Sequence, residues 1–172
     1  QLHSAGVKVY SYISVGEFDG DLPDLLKPIK KSDNDEWESN IMDIASPIWH
    51  GYLLDTAKDL KKRGFDGLFL DTLDSFNDYA SPDDNKAEFT KAVNGETALV
   101  EALHTVFKDL IFNRGFEIYD SLSFKPTAVA AESVFKSYNA SDESYGDVSK
   151  DDRQWLCSKL DAIKDSGVEA IA

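Results

Sequence analysis

Along the chain, short β-branched or aromatic runs alternate with longer stretches of helical spacing. That is the pattern of βα units around a parallel sheet. The runs VKVYSYISV (7–15), GLFLDT (67–72), DLIFN (109–113) and TAVAAES (127–133) predict strands, with a further short one at NIMDI (40–44). Between the first runs, SPIWHGYLLDTAKDLKKRG (46–64) predicts a helix: Ser46 and Pro47 suit the cap and first turn, and Lys61, Lys62, Arg63 and Gly64 suit its close. Its apolar positions Ile48, Tyr52, Leu53, Ala57 and Leu60 recur at helical intervals and predict a face packed on the sheet. A second helix is expected from Glu96 to Phe107 after a short helical turn at 85–93, and a third from Lys150 to Ser166. The polar stretches 19–40 and 78–86 read as loops. QLHSAG at the start resembles the tail of a helix, and GVEAIA at the end resembles the start of a strand. The expected fold is therefore one α/β domain over 1–172, a (β/α)8 TIM-type barrel whose first and last strands lie outside this chain, since eight such units need about 250 residues.

In such folds the carboxyl ends of the strands open onto the ligand face, and several predicted strands end in acid or amide. Asp71 closes GLFLD, Glu132 follows AVAA, Glu17 follows YSYISVG, and Asn113 ends DLIFN. Tyr10, Tyr12 and Ser14 share one face of their strand, and the small residues Ala128 and Ala130 share a face with Glu132. Asp74, three residues after Asp71, serves either the same ligand or as the cap of the following segment. Asp66, at the opposite end of its strand, is expected to hydrogen-bond locally. Two strand-end carboxylates suit cleavage of a glycosidic bond, in which one acid protonates the leaving oxygen and one carboxylate attacks or activates water. The same acids could instead ligate a divalent cation in a phosphoesterase, or hold a sugar without turnover. Arg114 is expected to pack or to pair with a neighbouring acid.

Composition narrows the partners. Asp and Glu number 32 against 18 Lys and Arg, a formal net charge of −14, which opposes binding to nucleic acid or anionic lipid and favours a neutral or cationic polymer, although excess acid also keeps a protein dispersed. The single cysteine, Cys157, excludes an internal disulfide and a cysteine-based zinc site, and is expected to be an inert, partly buried thiol. No stretch is apolar enough to span a bilayer, and the first residues carry no signal peptide, so an exported protein would have lost its signal from this chain. His3, His50 and His104 lie away from strand ends, and neither a glycine-rich phosphate loop nor a GxSxG elbow occurs. Most aromatic residues belong to the core; Trp155 joins a helix stripe with Leu156, Leu160 and Ile163, while Tyr79, Phe135 and Tyr138 follow acidic strand ends, where each is expected to have a structural role, a place in a groove wall being the alternative.

Taken together, YSYISVGE, RGFDGLFLDTLDSF, FNRGFE and VAAESVF resemble, in order and spacing, the glycoside hydrolase family of endo-α-1,4-polygalactosaminidases, which includes the hydrolase domain of bacterial Pel polysaccharide proteins. The resemblance implies a barrel fold, a secreted or periplasmic location, and cofactor-free, metal-free cleavage of α-1,4-linked galactosamine or N-acetylgalactosamine polymers. It further implies Asp71 as nucleophile and Glu132 as acid/base, with Tyr12, Glu17, Asp74 and Asn113 as groove residues. The family's final strands, with an Asp-Tyr pair expected after GVEAIA, are not in this chain. A galactosamine-rich polymer carries ammonium groups that an acidic groove would attract.

Overall fold

The computed structural model describes residues 2–139 and 143–172. Five parallel strands form the main sheet: β1 (Tyr10–Ser14), β5 (Gly67–Asp71), β6 (Asp109–Asn113), β7 (Ala128–Ala130) and β10 (Glu169–Ile171), in that spatial order. Each lies beside the next of these along the chain, as successive βα units of a barrel do, and among the described residues β1 and β10 are the edges of an open arc. The helices are α1 (Pro47–Lys62), α2 (Lys86–Val106), the short α3 (Phe116–Tyr119) and α4 (Lys150–Asp165).

Register divides the sheet into two faces. Tyr12 stands opposite Phe69, Phe69 opposite Ile111, and Ile111 opposite Ala128, so these residues share the inner face with Ser14, Asp71, Asn113 and Ala130. The alternate residues Leu68, Leu70, Leu110, Phe112 and Val129 are fully buried in one core with Trp49, Leu53 and Ala57 of α1 and Leu99, Val100 and Leu103 of α2. Trp49 also donates its indole N–H to the Val15 carbonyl at 2.7 Å, which fastens α1 to the end of β1. The inner face is only partly covered, with Tyr12 56% exposed and Phe69 and Ile111 half-buried.

Two findings differ from the sequence reading. The segments expected as a helical turn and a separate helix are one continuous α2, capped by the Asn85 side chain, which accepts the Glu88 N–H. Gly95 lies within α2 where the helix passes the Ala45 backbone: an added Cβ would lie 2.5 Å from Ala45 Cα. The stretch expected as one long loop instead folds into a small antiparallel sheet in the order β2 (Glu17–Asp19), β4 (Ser39–Met42), β3 (Lys30–Asn34). The short strand expected at 40–44 is β4, and it belongs to this side sheet, not to the barrel sheet. The polar sequence KKSDN of β3 offers no apolar alternation to announce a strand. A second addition is the hairpin of β8 (Lys136–Asn139) and β9 (Ser144–Asp147), which follows β7.

Candidate active site

A cavity of about 900 Å³ opens at the carboxyl ends of β1, β5, β6 and β7. Asp71 stands in it at the end of β5, between β1 and β6. The Tyr12 hydroxyl donates to Asp71 Oδ2 at 2.8 Å from β1, and the Asn113 amide donates to Oδ1 at 2.7 Å from β6. Both oxygens are thus held by neutral donors, which orients the carboxylate without pairing it with a cation. Desolvation around the Tyr12 hydroxyl, followed by its bond to Asp71, raises its pKa well above the ordinary value. It therefore remains a donor through the neutral range. Asn113 is buried, and its own carbonyl oxygen has no partner among the described residues.

Glu132 lies two residues beyond the end of β7, is exposed, and lines the same cavity. Its carboxylate makes no hydrogen bond or ion pair with any described side chain, in contrast to Asp71. Asp71 ends β5 and Glu132 follows β7, with β6 and its Asn113 between them.

Left-handed backbone recurs at these ends. Thr72, Arg114 and Ser133, each directly after Asp71, Asn113 or Glu132, have φ of 59°, 61° and 60°. Non-glycine residues seldom occupy this region, and such strain gathers at ligand sites held by their surroundings. Thr72 is held by its hydroxyl, which contacts Ser14 Oγ at 2.9 Å and accepts the Gly16 N–H at 2.8 Å. Gly16 permits that approach, since a Cβ there would sit 2.5 Å from the Thr72 carbonyl oxygen. Arg114 donates to Asp74 at 3.1 Å, the acid pairing expected of it. Asp74 occupies the cap position of the turn Ser75–Asp78, yet its side chain makes no capping bond and is committed to Arg114.

Glu17 lines the cavity too, but from β2 of the side sheet and not from a strand of the main sheet. It is buried, and its carboxylate accepts from Ser39, Ser75 and Asn34, which ties the side sheet to the loop after β5. Those bonds occupy the oxygens that a phosphoesterase would use for a cation. Among the described residues no three acidic, histidine or cysteine side chains gather as a metal-holding group. Asp66, at the far end of β5, makes long-range bonds in place of the local one expected: it accepts the Val9 N–H at 2.6 Å, which lowers its pKa, and pairs with the His3 ring at 2.9 Å. Tyr138 lines the cavity, whereas Tyr79 and Phe135 do not; the Tyr79 hydroxyl instead accepts the Ile44 N–H. The lining also includes Asp19, Asn34, Glu36, Trp37 and Ser75, which the sequence reading did not single out. Trp37 in an acidic polar stretch was the one available signal, because an isolated tryptophan there has no helix or strand stripe to join.

Among the described residues no helix is long and apolar enough to cross a membrane. No curated protein sequence matches this chain. The glycoside hydrolase domain of PelA from Pseudomonas aeruginosa is similar at 36% identity and a TM-score of 0.86, over 99% of this chain and 68% of that one. A variant of the same domain gives 35% identity and a TM-score of 0.83 over the same shares. Aspergillus fumigatus Ega3, solved with galactosamine, is 19% identical with a TM-score of 0.48, over 91% of this chain and 71% of that one. The family model for glycoside-hydrolase family GH114 matches residues 1–168, and the chain belongs to that family of glycoside hydrolases.

Proposed function

We propose that the protein cleaves α-1,4-linked galactosamine or N-acetylgalactosamine polysaccharide internally, with Asp71 and Glu132 as the reacting pair. One observation carries the reading: a single cavity holds one carboxylate gripped by two neutral donors and a second that is unencumbered. A nucleophile benefits from fixed aim, and an acid/base needs freedom to exchange a proton. In the first step Asp71 attacks the anomeric carbon to form a glycosyl ester, while Glu132 protonates the departing glycosidic oxygen. In the second, the Glu132 carboxylate takes a proton from water, which attacks the same carbon and releases Asp71. Tyr12 and Asn113 aim the nucleophile, Asp74 positions Arg114 at the rim, and Glu17 braces the wall. The acidic lining suits a polymer bearing ammonium groups, and such a substrate places the enzyme outside the cytoplasm, in a periplasm or an extracellular matrix.

The test is oligosaccharide release from a galactosamine-rich polymer, with the anomeric configuration of the first product followed by NMR. The parent is expected to cleave with retention. Glu132→Gln and Asp71→Asn are each expected to lose activity by about three orders of magnitude or more, with binding retained. Inversion would reassign Asp71 from nucleophile to base, and cleavage surviving in both variants would sink the pair.

A further inference from the structure

The cavity is lined by Trp37 and Tyr138, and Tyr145 extends this row of rings beyond the lining, in aromatic contacts that the cleavage chemistry leaves unused. Trp37, from the connection between β3 and β4, lies 6.1 Å from Tyr138 of β8, and Tyr138 lies 5.2 Å from Tyr145 of β9, centroid to centroid. These segments are about a hundred residues apart in the chain, and the rings join the side sheet to the hairpin. All three are exposed, Trp37 at 61% and Tyr145 at 72%, and none belongs to the buried core. Three large rings in contact yet open to water form an uncovered apolar strip, which marks a surface that meets a ligand. The strip is continuous with the cavity, because Trp37 and Tyr138 line it together with Asp71 and Glu132. The acids Glu36 and Asp19 line the same cavity, Glu36 next to Trp37 in the chain, and neither is paired with a cation among the described residues.

We infer that Trp37, Tyr138 and Tyr145, with Glu36, form a distal subsite that holds an amino-sugar unit of the polymer away from the point of cleavage. The inference rests on the hydrolase reading above and adds to it a place where the chain is gripped. A pyranose presents an apolar C–H face that stacks on an aromatic ring, with its polar groups at the rim. An ammonium at that rim gains from the ring faces and from a nearby carboxylate. Rings and acid together thus select a sugar that is apolar on its face and cationic at its edge, which a neutral glucan is not.

The experiment measures binding of galactosamine oligosaccharides of graded length by calorimetry, in the full chain carrying Glu132→Gln so that ligand is not consumed. Trp37→Ala and Tyr145→Ala are each expected to weaken binding of long oligomers by about 2- to 12-fold, with less effect on a disaccharide. Glu36→Gln is expected to weaken deacetylated oligomers and leave N-acetylated ones unchanged. The high exposure of Trp37 and Tyr145 makes their truncation compatible with folding, and either variant alone suffices for the test. Unchanged affinity across all lengths in a folded variant overturns the subsite while leaving the hydrolase standing. Absence of binding in the Glu132→Gln background itself overturns both.

Discussion

Tyr12 and Asn113 reach the two oxygens of Asp71 from the strands on either side of it. A hydrogen bond to a charged group contributes about 1.5–3 kcal/mol, so Tyr12→Phe is expected to lower kcat by about 10- to 150-fold. Because the bond aims the carboxylate proposed as nucleophile, kcat and kcat/KM should fall together in steady-state assays; a rise in KM alone would show that Tyr12 only holds substrate. Glu96 presents a different residue-scale effect. It is wholly buried on α2, neither oxygen has a partner among the described residues, and burial first, then the nearby charges of Glu117 and Asp74, push its pKa well above the usual 4.5. A carboxyl with a raised folded pKa binds its proton more tightly in the folded state. Its contribution to stability is therefore complete below about pH 4.5 and declines as pH rises toward the folded value, by about 1.4 kcal/mol per unit. Glu96→Gln removes the ionisation and keeps the shape, so denaturant titrations should show the variant gaining on the parent as pH rises from 5 to 8. A constant difference over that range would mean that Glu96 ionises in the fold at no cost.

At the scale of elements, α2 shows a local preference overruled by packing. Alanine is a better helix residue than glycine by about 1 kcal/mol, so helix propensity alone would make Gly95→Ala stabilising. The added methyl, however, would meet the backbone and Cβ of Ala45, ahead of α1, at 2.5 and 2.6 Å. Backbone on both sides leaves little room to yield, and Gly95→Ala is expected to destabilise by about 1–3 kcal/mol in chemical denaturation. A gain in stability would show that α2 slides freely past that segment. The side sheet depends on a comparable long-range contact, since Glu17 of β2 collects hydroxyls from Ser39 of β4 and Ser75 after β5.

At the scale of the molecule, the net charge of −14 and the acid-lined cavity would together attract the cationic polymer proposed as substrate. The Debye length shrinks from about 10 Å at 0.1 M salt to about 3 Å at 1 M, so KM for deacetylated substrate should rise with salt while KM for fully acetylated substrate stays nearly level. Equal salt dependence of the two would remove charge from the account of substrate choice.

The chain by itself determined the βα rhythm, the span of α1, and the placing of Asp71, Asn113 and Glu132 at strand ends, because strand and helix periods and the polarity of parallel sheets are local or topological rules. GFDG and AAES also carried the resemblance that the family match upheld. Only the tertiary structure decided which of these groups meet. That Tyr12 and Asn113 grip Asp71, that Glu17 is sequestered by serines, and that Trp37 joins Tyr138 and Tyr145 are contacts between residues tens to about a hundred positions apart. Such contacts follow from strand register and from the path of polar segments like KKSDN, whose pairing is set by hydrogen bonds across the sheet and leaves no apolar period in the sequence.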